Sequence, residues 1–149
     1  MSAGLRIFPT PFKGIYYVPS DEERDGWFID RPLTILSRAV ATFLEGEAFY
    51  YSCETAEEFF GLNWHPSGTV HVVNEKRSER IDLRERINRN KNKKTFRAKK
   101  IAKLLQYYGD RIIFHKTKNI KDVKIKQTPY GTFALKSQIK KDKKKFRHK

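Results

Sequence analysis

The chain predicts an α/β or α+β fold, a small mixed sheet with three or four packed helices and a disordered basic C-terminal tail. Three observations carry this. Short aromatic and β-branched runs alternate with stretches of helical apolar spacing. At 38% hydrophobic and 13% aromatic residues, the 149-residue chain has enough apolar material for one core. The last fourteen residues are nearly all cationic or polar. The expected organisation is a single domain over 1–135, acidic in 1–75 and basic in 76–135, with a basic extension over 136–149.

Taken in order, Gly14, Ile15, Tyr16, Tyr17 and Val18 lie between Pro11 and Pro19 and form the first strand signal. Residues 20–32 are acidic and turn-rich and predict a loop, with Trp27, Phe28 and Ile29 folding back on the body. Pro32 suits a first helical turn, and Leu33, Leu36, Ala39, Val40, Phe43 and Leu44 follow at helical spacing until Gly46. The run from Ala48 to Ser52 is a second strand, and Ser52 is placed to cap a short helix over 54–60 that Gly61 closes. A turn over 63–68 leads into a third strand over 69–73. In the basic half, Leu83 and Ile87 permit a helix over 82–90. Ile101, Leu104, Leu105 and Tyr108 place one face of a helix over 96–108. Strands are expected over 111–115, 122–127 and 132–135, with Pro129, Tyr130 and Gly131 turning the last pair.

The order of these elements carries a resemblance: a strand at 14–19, a helix at 33–44, Phe49-Tyr50-Tyr51-Ser52-x-x-Thr55-Ala56, Gly61-Leu62, and a strand at 69–74. It is similar to the C-terminal module of type IV abortive-infection antitoxins (the AbiEi family) over about residues 12–74. Such a resemblance implies a protein that neutralises a nucleotidyltransferase toxin or acts as a DNA-binding regulator. Members usually carry an N-terminal winged helix. Little chain precedes Gly14, so autorepression through that element is not expected here.

Charge points to function more directly. Residues 1–75 carry 5 Lys and Arg against 11 Asp and Glu, whereas residues 76–149 carry 27 against 6. A net charge of +15 concentrated in one half calls for a polyanionic partner. The expected function is non-catalytic binding of large structured RNA, as in a ribosome-associated protein, with DNA as the alternative polyanion. Candidate phosphate contacts are Lys76, Arg77, Arg80, Arg84, Arg86, Arg89, Lys91, Lys93, Lys94, Arg97, Lys99, Lys100 and Lys103, then Lys136, Lys140, Lys141, Lys143, Lys144, Lys145, Arg147 and Lys149. Phe96, Tyr107, Tyr130 and Phe146 are candidates for stacking on unpaired bases. The acidic clusters Asp21-Glu22-Glu23 and Glu54, Glu57, Glu58 offer a face for a basic protein partner, or pair with the basic half.

Other chemistries find little support. A single cysteine, Cys53, precludes an intramolecular disulfide and fits a reducing cytoplasm. His65, His71, His115 and His148 show no metal-ligand spacing, so neither metal nor cofactor is expected, and His71 reads as a structural residue facing away from Val70 and Val72. No apolar run has the length of a membrane span, and no membrane partner is expected. Asp110 with Asp122-Val123-Lys124 is the one arrangement suggesting a Mg²⁺-dependent nuclease, and it lacks an evident third carboxylate.

Overall fold

The computed structural model describes residues 7–64 and 67–146. Phe8–Pro9 (β1) and Tyr16–Tyr17 (β2) form a two-stranded ribbon, followed by helices Asp21–Gly26 (α1) and Pro32–Phe43 (α2). Phe49–Tyr51 (β3), helix Cys53–Phe59 (α3), Thr69–Asn74 (β4) and Glu79–Asp82 (β5) come next. Helices Arg84–Lys91 (α4) and Phe96–Gln106 (α5) precede Arg111–Lys116 (β6), Ile125–Thr128 (β7), Gly131–Ala134 (β8) and Lys136–Phe146 (α6). The main sheet has the order β5-β6-β4-β3-β8-β7. Pairs β4–β6 and β3–β8 are parallel and the rest antiparallel, which makes the sheet mixed and the fold α+β.

Strand alternation and register sort the side chains onto two faces. Val70 and Val72 of β4 pair with Ile112 and Phe114, and Tyr51 pairs with Val72 and Phe133, so these residues share one face. There Phe114 packs against Phe12 and Phe43, and the Tyr51 hydroxyl meets Ser37 of α2 at 2.7 Å. The opposite face carries Tyr50, His71, Val73, Ile113 and His115, and α6 covers part of it with Ile139, Asp142 and Phe146. Helix α3 lies where β3 runs out. Thr55 takes over the pairing of β4, accepting from the His71 amide at 2.8 Å.

Most of the predicted elements form, with instructive departures. The stretch expected as a loop after Pro19 contains α1, because Ser20 and Glu23 form a capping box: Glu23 N donates to Ser20 Oγ at 3.2 Å and Ser20 N to Glu23 Oε1 at 3.0 Å. Strand β5 is new. It is an edge strand bearing charges on its exposed positions, as edges that resist aggregation commonly do, so only Ile81 marked its inner side. Ser52 occupies the N-cap position of α3 but makes no side-chain cap bond. Gly109 turns the chain into β6 at φ +103°, where a Cβ would stand 2.9 Å from the Gly68 carbonyl oxygen.

The largest correction concerns the expected disordered tail. Residues Lys136–Phe146 are helix α6, so six helices rather than three or four occur among the described residues, and the extension packs into the domain. The reason is the lone acid in that segment. Asp142 is 3% exposed; its Oδ2 accepts from Ser52 Oγ at 2.6 Å and Tyr50 OH at 2.9 Å, and its Oδ1 from Gln138 Nε2 at 2.9 Å. Three donors offset the desolvation of one carboxylate. Ile139 and Phe146, two turns apart on one face with Asp142 between them, complete the seam. Ser52 is thus spent on Asp142 rather than on its own helix.

Two outcomes follow for stability. Asp142→Ala should cost about 3 kcal/mol in urea unfolding, because it strands buried hydroxyls, and should make the lysines of α6 the first tryptic sites. Glu23 supplies a pH effect. Burial on its own raises that carboxyl, but bonds from Tyr17 OH and the Ser20 and Asp30 amides outweigh it and hold the group below the ordinary range. Its stabilisation is therefore present above the unfolded value, roughly pH 4.3, and is lost as pH falls through the lower folded value. Glu23→Gln should flatten that acid limb in a pH series of urea melts.

Candidate nucleic-acid interface

Between Glu85 and Asp110 the chain carries nine cations and no acid. Folding turns this stretch into a helical corner. Thr95 caps α5 by accepting from the Ala98 amide at 3.2 Å, and Ala98, Ala102, Leu104 and Leu105 bury one side of that helix. Ile87 buries the matching side of α4. What remains outward is Arg89 and Lys91 from α4, Lys93 and Lys94 from the connection, and Arg97, Lys99 and Lys103 from α5, all exposed. None of these seven forms an ion pair among the described residues. Beside them Phe96 is 68% exposed, with Lys100 Nζ 5.1 Å from its ring centroid and Trp27 edge-on at 6.4 Å. Tyr107 and Tyr130 are also exposed.

Helix α6 offers a second cationic surface. Lys136, Lys140, Lys141, Lys144 and Lys145 are exposed, and the only acid in the helix is the buried Asp142. Lys145 Nζ donates to Thr117 Oγ1. These charges ride on a packed helix rather than on a flexible tail, which changes what they can do: charges fixed on a scaffold set register as well as attraction.

Several sequence candidates are engaged inside the protein. Lys76 pairs with Glu45 at 3.1 Å, and Arg77 with Glu79 at 3.0 Å while lying 4.4 Å over the Phe43 ring. Arg84 forks onto Asp82, with Nη2 to Oδ2 at 2.7 Å. That bond and the Arg84 amide hold the Asp82 carboxyl well below the usual carboxylate range. Arg86 donates to the Thr10 carbonyl at 2.9 Å, and burial lowers its guanidinium from the ordinary value. Lys143 meets Glu57 at 3.1 Å and Glu54 at 3.7 Å. Arg80 is exposed, on the sheet face beside α6. Phe146 is 6% exposed and stacks on His115 at 4.3 Å, so it is not available to bases. Arg147, Lys149, His65 and His148 lie outside the described residues.

The two acidic clusters are largely engaged within the chain. Glu54 and Glu57 take Lys143, Glu58 accepts from the Ser67 amide at 2.6 Å, and Glu23 is buried, leaving Asp21 and Glu22 of these clusters outward. Elsewhere in the acidic half Asp25, Asp30, Glu45, Glu47 and Glu75 are exposed. Asp110 and Asp122 adjoin β6 and β7, which three strands separate in the sheet. Among the described residues these two carboxylates belong to no metal-ligating cluster.

A cluster that sequence spacing did not reveal lies on the α6 face. His71 turns away from Val70 and Val72, as alternation requires, and both of its ring nitrogens are engaged. Nε2 is 3.0 Å from Glu54 Oε2 and Nδ1 is 2.9 Å from His115 Nε2. Burial lowers the imidazole from its ordinary value, against the pull of Glu54. Cys53 stands beside Glu54 with a left-handed backbone, φ 56°. A groove of about 1080 Å³ runs past these residues, lined also by Arg80, Lys140 and Lys144. Neighbouring residues such as Cys53 and Glu54 suggest nothing until β4 brings His71 to them.

No family model, no curated protein and no solved structure matches this chain. Among the described residues no helix is long and apolar enough to cross a membrane.

Burial pushes the Cys53 thiol up to about 12, with the Glu54 and Asp142 charges adding to it. The native protein should therefore react slowly with a disulfide reagent such as DTNB. Its rate should stay low but climb about tenfold per pH unit from pH 7 to 9 without levelling off, while unfolding in urea should restore the rate of a free thiol, which levels off at about pH 9.

Proposed function

We propose that this protein binds nucleic acid, structured RNA in the first place, through the α4–α5 corner, with α6 as a second contact, and that it does so in the cytoplasm without catalysing a reaction. The observation that supports this best is the corner itself. Seven exposed cations, none of them in an ion pair among the described residues, cluster beside an exposed aromatic ring. Phosphates would supply affinity by displacing counterions, and Phe96 offers a face on which an unpaired base can stack. Helix α5 presents a row rather than a base-reading tip, and no duplex-reading motif accompanies it, which favours RNA shape over DNA sequence.

An antitoxin-like role, with the acidic half docking a basic toxin, has less surface to use. Its clearest acids, Glu54, Glu57 and Glu23, already have partners within the chain. The exposed acids of α1 are what such a partner would find.

Binding should fall steeply with salt. Six to eight phosphate contacts correspond to a log–log slope of roughly −4 to −6 on single strands or loops. Replacing Lys93, Lys94 and Arg97 together with Gln should flatten the slope by about 2 and shift the footprint on a structured RNA. Replacing Lys140, Lys141 and Lys144 should also move the footprint, since α6 is a fixed element. A slope near zero between 50 and 300 mM salt, measured on the full chain, would contradict the proposal.

A further inference from the structure

Cys53, Glu54 and His71 each offer one donor atom, and the three atoms lie within 4.8 Å of one another. A tetrahedral ion bound at 2.0–2.3 Å separates its ligand atoms by roughly 3.3–3.8 Å. Side-chain adjustments of about an ångström would therefore bring all three onto one ion. The two elements that supply them are firmly joined, because Thr55 of α3 is hydrogen bonded to the backbone of β4 on both sides of Val70, at Thr69 O and His71 N.

The surroundings are those of a supported site. Lys143 faces Glu54 Oε1 at 3.7 Å, which leaves Oε2 turned to His71 Nε2 at 3.0 Å. That hydrogen bond occupies the place an ion would take. On its other side His71 meets His115, whose ring is held by stacking on Phe146 at 4.3 Å. Ligating imidazoles characteristically use their second nitrogen in this way, which fixes the ring and its tautomer. The left-handed backbone at Cys53, φ 56°, is a conformation that costs a non-glycine residue energy and that recurs at functional sites.

We propose that Cys53 Sγ, Glu54 Oε2 and His71 Nε2 form a three-ligand site for a divalent ion of the zinc class, with its fourth position open to the groove beside α6. The donor set decides the class: one sulfur with one imidazole and one carboxylate suits a borderline ion such as Zn²⁺ or Co²⁺, whereas Mg²⁺ and Ca²⁺ require oxygen. Binding releases the thiol proton of Cys53 to solvent. The proton on His71 Nε2 moves to Nδ1, where it is donated to His115 Nε2, and His115 carries its own proton on Nδ1. The cations along the groove, Arg80, Lys140 and Lys144, would favour an anionic group at the open position.

The test is a Co²⁺ titration of the chelator-treated full chain, followed by absorbance. The expected result is a near-UV sulfur-to-cobalt charge-transfer band with intense four-coordinate visible bands, saturating at one equivalent and displaced by Zn²⁺. Cys53→Ser should abolish the charge-transfer band. Glu54 is the most exposed of the three ligands, so Glu54→Gln should keep the native circular dichroism and weaken Co²⁺ at least tenfold. His115→Gln should weaken it about 10–100-fold through the imidazole it orients. Absence of the charge-transfer band at saturating Co²⁺, or unchanged affinity in a natively folded Glu54→Gln protein, would overturn the proposal. RNA binding can be scored separately on the same samples, so the two readings fail independently.

Discussion

A single buried carboxylate joins the two ends of this protein. Asp142 receives Tyr50 and Ser52 from the acidic half of the chain and Gln138 from its own helix. Without it, α6 would be a lysine-rich segment with two apolar side chains, Ile139 and Phe146, too few to order a helix in water. With it, the segment packs on the sheet, shields His71 and His115, and brings Lys143 to Glu54 and Glu57. The cost of burying a charge is met by three hydrogen bonds. Replacing only one partner of such a network leaves the others unsatisfied.

The same contact explains how a chain with such uneven charge folds as one body. Acidic and basic halves are separate in sequence but interleaved in the sheet, where β3 lies between β4 and β8, and β6 beside β4. The two central strands, β4 and β3, come from the acidic half and are flanked on each side by a pair from the basic half, so neither half has a complete sheet of its own. Part of the acidic surface is consumed in the process, through Lys143 with Glu54 and Glu57 and through Lys76 with Glu45. Exposed pairs of this sort contribute little stability. Their larger effect is to leave positive charge uncompensated at the α4–α5 corner and along the outer side of α6, among the described residues.

Much of the fold was legible from residues. The apolar spacing of Leu36, Ala39 and Val40 located α2, and the alternation in β4 and β6 located the sheet centre. Local chemistry that competed with composition was harder to read. The acidic stretch after Pro19 looked like a loop, although Ser20 and Glu23 stood at capping-box spacing. The lysine-rich end looked disordered because averaging over fourteen residues hides one aspartate and two apolar residues on a common face. Of the site, the cations of the corner were visible as a run without acids. The cluster of Cys53, Glu54, His71 and His115 was not, because it depends on the parallel pairing of β4 with β6 and on α3 taking the place of β3.

The central claim is that phosphates meet a preorganised cationic surface made of the α4–α5 corner and α6. Amide hydrogen exchange on the full chain, with and without a structured RNA at low salt, tests it most directly. The account predicts slowed exchange over residues 89–103 and 136–146, with α1 and its exposed acids unaffected. Protection confined to α1, or none at either basic element while the RNA is bound, would contradict it.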